Sequence, residues 1–318
     1  MQIGLFTDGL SHLSLDDALR YAASVGCAMV ELGTGNFSPA RHCDLDGLLA
    51  DASARRALVD RVHSYGLGIS ALNCSGNPLH PAAEEGSRSR DVIRKTVELA
   101  AFLGVNRVVT MSGCPGTPKG DDYPHWVTVR WPPEMNDLLD WQWNERLLPY
   151  WRETVAFARQ HGVSRICLEL HPGMTVYTPA TLARLRDAVG ETVGANLDPS
   201  HFFWQGIDPI DAARALGPSI YHTHAKDTAI NERETRVNGG LNAQWPGPPP
   251  DVGWTFATMG YGHGETFWKR FYYTLRQLGY DDVLSIEYED EGVGPEESIA
   301  KSAEFLGQVA FISAGARA

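Results

Sequence analysis

Four residues with metal-ligating side chains stand at the ends of short apolar runs in the second half of this sequence. They are Glu169 in ICLELHPG, Asp198 in GANLDPSH, His224 in IYHTHAKD and Glu287 in VLSIEYED. Two glutamates, one aspartate and one histidine make an oxygen-rich set with a single imidazole. Such a set suits Mn²⁺, with Mg²⁺ or Co²⁺ as alternatives, and leaves positions open for substrate, unlike a closed structural zinc site. Taken singly, each is an ordinary loop-facing polar group. Three acids converging without a cation would repel one another and raise their pKa values, so their convergence argues for one bound divalent ion. An ion with open positions chelates a carbonyl oxygen and a neighbouring hydroxyl, and acidifies the proton α to the carbonyl.

Several neighbours read as substrate or proton-handling groups. His171 lies two residues beyond Glu169 and shares its face in extended geometry, as a general base or substrate contact. Lys226 follows His224 directly and is placed to stabilise a developing enolate oxygen. Glu31 ends an earlier apolar run (VELG) and either binds a substrate hydroxyl or is structural. His222 alternates with His224 and reads as support behind the ligand. His125 and Trp126 (YPHWVT) are taken as substrate contacts, against the plainer readings of a solvated histidine and a packing tryptophan. His263 (GYGHGE) carries the same two readings.

The elements that position these groups are legible from punctuation. Glycines 26, 66, 104, 162, 190, 217 and 279 each close an amphipathic stretch, where a left-handed cap favours a residue without Cβ. Apolar runs follow them at Met29–Gly33, Ile69–Asn73, Arg107–Met111, Arg165–Leu170, Gly194–Leu197, Ser219–His224 and Val283–Tyr288, with Ile3–Thr7 opening the series. Near-continuous apolar runs are expected of parallel strands covered by helices. Helices are predicted at Leu15–Val25, Asp46–Tyr65, Gly86–Leu103, Glu145–Gln160, Pro179–Val189, Pro209–Leu216, Glu265–Leu278 and Pro295–Ser313. Eight strand–helix units in unbroken alternation predict a (β/α)8 TIM barrel, one α/β domain over residues 1–318. An open doubly wound sheet is disfavoured, because Phe6-Thr7-Asp8-Gly9 lacks the Gly-rich turn after the first strand. Two connections are long, Ser112–Asn144 after the fourth strand and Thr228–Gly264 after the seventh. The first is rich in tryptophan and the second contains GGLNAQWPGPPPDVGW, so both are expected to be lids on the barrel's active face.

Composition removes other classes. The chain has 318 residues, 43% hydrophobic, and its 39 acidic against 27 basic residues give a net charge of −12. No Lys/Arg cluster supplies the positive face a nucleic acid needs. Five scattered cysteines without a C-x-x-C pair argue against a disulfide scaffold. The opening MQIGLFTDGLSHL has no signal-peptide pattern and no apolar run is long enough to span a membrane, so a soluble, cytoplasmic protein is expected. Tryptophan-rich insertions on one face point to a homo-oligomer.

The words L-E-L-H-P-G, N-L-D-P-S-H, H-x-H-A-K-D and S-I-E-Y-E-D, in this order, resemble the sugar phosphate isomerase/epimerase superfamily of xylose-isomerase-like barrels over essentially the whole chain. That resemblance implies one divalent metal held by Glu169, Asp198, His224 and Glu287, with Glu169 and Glu287 doubling as acid/base groups and His201 as a ligand or substrate contact. It implies a carbohydrate substrate and isomerisation or epimerisation of a keto-sugar through an enediolate. The sequence departs from the pattern at Thr175 and Ile230, where ketose 3-epimerases carry a second Glu and an Arg, and the E-P-K word of xylose isomerase is absent. These departures keep open β-elimination from a 3-keto-sugar, keto-glycoside or keto-inositol. Metal-dependent hydrolysis and a non-catalytic sugar-binding barrel are weaker alternatives.

Overall fold

The computed structural model describes residues 1–242 and 252–313. The strands are β1 (Gln2–Phe6), β2 (Met29–Gly33), β3 (Gly68–Asn73), β4 (Arg107–Met111), β5 (Arg165–Glu169), β6 (Val193–Leu197), β7 (Ile220–Ala225), β8 (Asp227–Ile230), β9 (Trp254–Ala257) and β10 (Val283–Ile286). Eight of them close a barrel in the order β1-β10-β7-β6-β5-β4-β3-β2, and β8 and β9 form a separate two-stranded sheet. The barrel pairs are parallel. Phe6 stands opposite Glu31, Ser285 opposite His224, and Met111 opposite Glu169.

The covering helices are α1 (Leu15–Ser24), α2 (Leu45–Ala50), α3 (Ala52–Ser64), α4 (Ala83–Leu103), α5 (Glu134–Trp141), α6 (Leu148–Gln160), α7 (Pro179–Val189), α8 (Ser200–Phe203), α9 (Pro209–Leu216), α10 (Glu232–Asn238), α11 (Glu265–Gln277) and α12 (Pro295–Val309). Their ends follow the cap chemistry of the sequence. Ser14 accepts a hydrogen bond from the Asp17 amide, Thr178 and Thr181 form a reciprocal box, and Asp208 caps α9. None of the described helices is long and apolar enough to cross a membrane.

The chain falls into two compact units: Met1–Glu31, Val62–Gly68 and Leu197–Ala318 form one, and Leu32–Arg61 with Ile69–Asn196 form the other. In the first, α11 lays Trp268, Phe271, Tyr272 and Leu275 on one stripe at helical spacing, all fully buried. Each such side chain contributes about 1.5–3 kcal/mol through burial. In the second, Leu72, Val108, Leu168, Val97, Trp151 and Leu185 are fully buried.

Three sequence expectations are revised. The predicted helix Asp46–Tyr65 is two helices, because Asp51 adopts an extended backbone and its carboxylate accepts from the Ser53 amide. The insertion after β4 is shorter than expected, since helix begins at Glu134 and runs through a π-helical stretch, Gln142–Leu147, into α6. The buried Gln142 amide donates to the carbonyls of Pro115, Gly116 and His125 and ties that insertion down. The connection after β7 is a built element, the β8–β9 hairpin with α10, where Trp204 and Trp254 stack at 4.4 Å. Of the segment GGLNAQWPGPPPDVGW, residues 243–251 lie outside the described residues.

All five cysteines are free and buried. Burial pushes the thiols of Cys27, Cys74 and Cys114 up to about 12. Only the thiolate is nucleophilic, so native protein at pH 8 is expected to take up no iodoacetamide, whereas denatured protein takes up five equivalents by mass. A native adduct would contradict this.

Candidate metal centre

Within the first unit, Asp198 follows β6, His224 lies in β7 and Glu287 follows β10 by one residue. Their ligand atoms lie within 4.8 Å of one another. His224 Nδ1 is 3.1 Å from Glu287 Oε2 and 3.9 Å from Asp198 Oδ2, with both His224 and Asp198 fully buried. Burial alone would raise the Glu287 carboxyl, but the charges of His224 and Lys226 outweigh it and hold Glu287 well below the usual carboxylate range. Burial likewise opposes a charged His224, yet Glu287 and Glu31 hold the imidazole well above its ordinary value.

Lys226 is the internal cation of this cluster. Its Nζ lies 2.5 Å from Glu287 Oε2, 2.8 Å from Glu289 Oε2 and 3.1 Å from Asp198 Oδ2, and 4.5 Å from the centre of the Phe256 ring. Glu289 escaped the sequence reading, although its place two residues beyond Glu287 was a signal of a shared face. His201 Nε2 is 3.3 Å from Asp198 Oδ2, and its ring meets Phe256 edge-on. Neither contact to Asp198 Oδ2 is aligned as a hydrogen bond, so this buried oxygen keeps unused acceptor capacity. Two carboxylates, one of them offering that oxygen, and one imidazole nitrogen suit a hard or borderline divalent ion.

Glu31 is fully buried, and its oxygens are taken by protein donors. His222 Nε2 approaches at 2.8 Å, Ser285 Oγ donates at 2.8 Å, and His224 Nε2 lies 3.2 and 3.3 Å from the two oxygens. Burial would raise its pKa, but the two histidines outweigh that and hold it well below the carboxylate range. The structure therefore places Glu31 behind the cluster, bonded to protein groups where the sequence reading allowed a substrate hydroxyl. His263 is also spoken for: it bonds Asp227 through Nδ1 at 2.9 Å and stacks on Phe203 at 3.7 Å.

In the second unit, Glu169 ends β5 and is 3% exposed. His171 turns Nδ1 toward the carbonyl of Pro172. His125 is about half exposed, with Nε2 3.9 Å from Asp121. Trp126 packs against Met111, Cys114 and Met174 and meets Tyr177 edge-on at 5.2 Å. Trp126, Tyr177 and Thr175 also line a cavity of about 350 Å³.

A closed parallel barrel with acids at or just beyond its strand ends and a histidine within one strand defines a class of protein, and comparison with known proteins gives the family. Residues 19–309 match the model of the xylose isomerase-like TIM barrel family, and the chain belongs to it. Over 310 residues it is 42% identical to YfiH of Bacillus subtilis (strain 168), itself uncharacterized, covering 97% of this chain and 99% of that one. Among solved structures, the fold is similar to a zinc-bound IolI protein (20% identity, TM-score 0.65, 97% and 98% of the two chains). It is also similar to AsbF of Bacillus anthracis, described as a probable 3-DHS dehydratase of petrobactin synthesis (17%, 0.65, 96% and 99%). An L-ribulose 3-epimerase shares it too (18%, 0.62, 96% and 93%). These structural likenesses, at 17–20% identity, show the fold that the family model also gives.

Proposed function

We propose that this protein is a divalent-metal-dependent isomerase or epimerase of a keto-sugar, with the metal held by Glu169, Asp198, His224 and Glu287. The observation that carries the reading is the convergence of Asp198, His224 and Glu287 around one point, with Lys226 beside them. Glu169 is proposed as the fourth ligand because it ends β5, as Asp198 follows β6 and Glu287 follows β10, and because the family resemblance assigns a glutamate there to the metal. The donor set fits Mn²⁺ first, and the structurally similar IolI protein has been solved with a zinc atom.

When bound, the ion supplies Lewis acidity toward a carbonyl and an adjacent hydroxyl oxygen. The chain's own groups do the rest. Glu169 or Glu287 takes the proton α to the carbonyl, and His171 is the proposed partner for its transfer. Lys226 Nζ, desolvated and already among carboxylates, faces the negative charge that develops on the enolate oxygen. His201, held at Asp198, is assigned to a substrate hydroxyl, and His125 and Trp126 to the outer end of the substrate.

A second reading, β-elimination from a 3-keto-sugar, keto-glycoside or keto-inositol, shares the ligands and the first proton transfer. It is favoured by Thr175 and Ile230, which lack the acid and guanidinium of the 3-epimerase pattern.

The test pairs product analysis with one substitution. Manganese-loaded protein given a panel of ketoses is expected to yield an epimer or aldose by chromatography, and an unsaturated product would choose the second reading. Lys226→Met is expected to lower kcat about 10²–10³-fold, the cost of one oxyanion-stabilising donor, with metal content retained. Unchanged turnover in that variant would remove Lys226 from the mechanism.

A further inference from the structure

The arrangement behind His224 has a function of its own. We propose that Glu31 is a positioning residue for the metal site: by accepting from His224 Nε2–H, it leaves the lone pair of Nδ1 to a cation held beside Asp198 and Glu287. The inference rests on the reading of those three residues as cation ligands.

A buried carboxylate that is ionised accepts hydrogen bonds and donates none. Glu31 is surrounded by three donors, Ser285 Oγ, His222 Nε2 and His224 Nε2, at 2.8 to 3.3 Å. The nitrogen of His224 that faces it must therefore carry the proton. A cation bound beside it would displace the other proton, the ring would keep the one N–H that faces Glu31, and the freed lone pair would be that of Nδ1, the atom 3.1 Å from Glu287 and 3.9 Å from Asp198. The ring plane is fixed as well. Phe6, the register partner of Glu31, stacks on His224 at 6.1 Å with 15° between the planes. Ser285 is the register partner of His224 itself. Four neighbouring strands, β2, β1, β10 and β7, thus each contribute one side chain to the orientation of one ligand. This is the carboxylate–histidine–metal relationship that sets ligand basicity and direction.

Glu31, His222 and His224 also lie within 4.8 Å of one another and form a set that could itself hold a cation. Two facts favour the hydrogen-bonded form. A cation there would need His224 Nε2 stripped of its proton while Nδ1 faces two other carboxylates. Ser285 already occupies one lone pair of Glu31 Oε2.

The experiment measures Mn²⁺ affinity of the full chain by chelator competition, for wild type, Glu31→Gln, Ser285→Ala and Asp198→Asn. Glu31→Gln keeps the shape, loses the charged acceptor and turns an amide donor toward the histidines. Its affinity is expected to fall about 10–100-fold. Ser285→Ala keeps the charge, and is expected to cost only a few-fold. Nitrogen-15 spectra of the Zn²⁺-loaded protein supply a readout that a merely structural role would not move. His224 is expected with a proton on Nε2 and a metal-shifted Nδ1, and in Glu31→Gln the Nε2 proton signal is expected to shift or broaden. If Glu31→Gln does not fold, Ser285→Ala and the wild-type spectrum decide. Unchanged affinity in folded Glu31→Gln, or a proton on Nδ1 of His224, would overturn the inference. So would two bound ions per chain with one lost in Glu31→Gln. Asp198→Asn separates the failures: if it retains Mn²⁺, the cation-site reading itself is wrong; if it loses Mn²⁺ while Glu31→Gln keeps it, only the role of Glu31 is.

Discussion

Asp198→Asn is expected to strip the divalent ion from the protein and abolish turnover while the barrel stays folded. The substitution preserves volume and the oxygen that accepts from the Ser200 amide at 2.9 Å, so the start of α8 keeps its bond. What it removes is the charge at a fully buried position beside Glu287 and His224. A supporting partner of a metal ligand is worth about 10–100-fold in affinity, and a ligand contributes more. The loss therefore exceeds the effect expected of Glu31→Gln. Glu169→Gln is expected to act in the same direction. Elemental analysis after dialysis checks both. A stoichiometric ion in folded Asp198→Asn would contradict the assignment.

Asp227→Ala is expected to cost stability and leave the metal in place. Asp227 follows Lys226 in the sequence, is fully buried, and does not join the cluster. Its Oδ2 accepts from the amides of Gly260, Gly262 and His263 at 2.9–3.1 Å and from Trp268 Nε1 at 3.3 Å. Its Oδ1 accepts from the Thr228 amide and His263 Nδ1. One carboxylate thus ties the turn after β9 and the start of α11 to the end of β7. Truncation strands those donors without an acceptor, at about 3–5 kcal/mol. For a chain of this size that lowers the melting temperature by about 5–7 °C. A shift under about 1 °C would show that water replaces the carboxylate without loss.

Comparing these two aspartates shows what sequence reveals and what it conceals. Strand ends are legible because buried parallel strands are continuous in apolar residues, so the sequence alone puts Glu169, Asp198 and Glu287 at or next to strand ends, where the structure also has them. β10 ends at Ile286, two residues short of the apolar run, and Glu287 stands just beyond it. The partners of a buried acid were not legible. Glu31 reads like any strand-end glutamate, and its commitment to His222, His224 and Ser285 appears only when β2, β7 and β10 share a barrel. The β8–β9 hairpin was missed for a related reason. Asp227–Ile230 and Trp254–Ala257 are far apart in sequence and carry no turn signal that would pair them. The helix from Glu134 was missed because Ser112–Asn144 reads as one tryptophan-rich lid, whereas a π-helical stretch, Gln142–Leu147, joins α5 to the predicted helix Glu145–Gln160.

The central claim is metal-dependent removal of a proton beside a carbonyl, and solvent exchange reads that step directly. Manganese-loaded and metal-stripped protein would be incubated in heavy water with ketoses and 3-keto-glycosides, the ion removed by chelation, and each carbohydrate followed by NMR. The account predicts deuterium at a carbon adjacent to the carbonyl of at least one substrate with the metal-loaded protein and none with the stripped protein. Absence of exchange across the panel, with the ion bound and the fold intact, would contradict it.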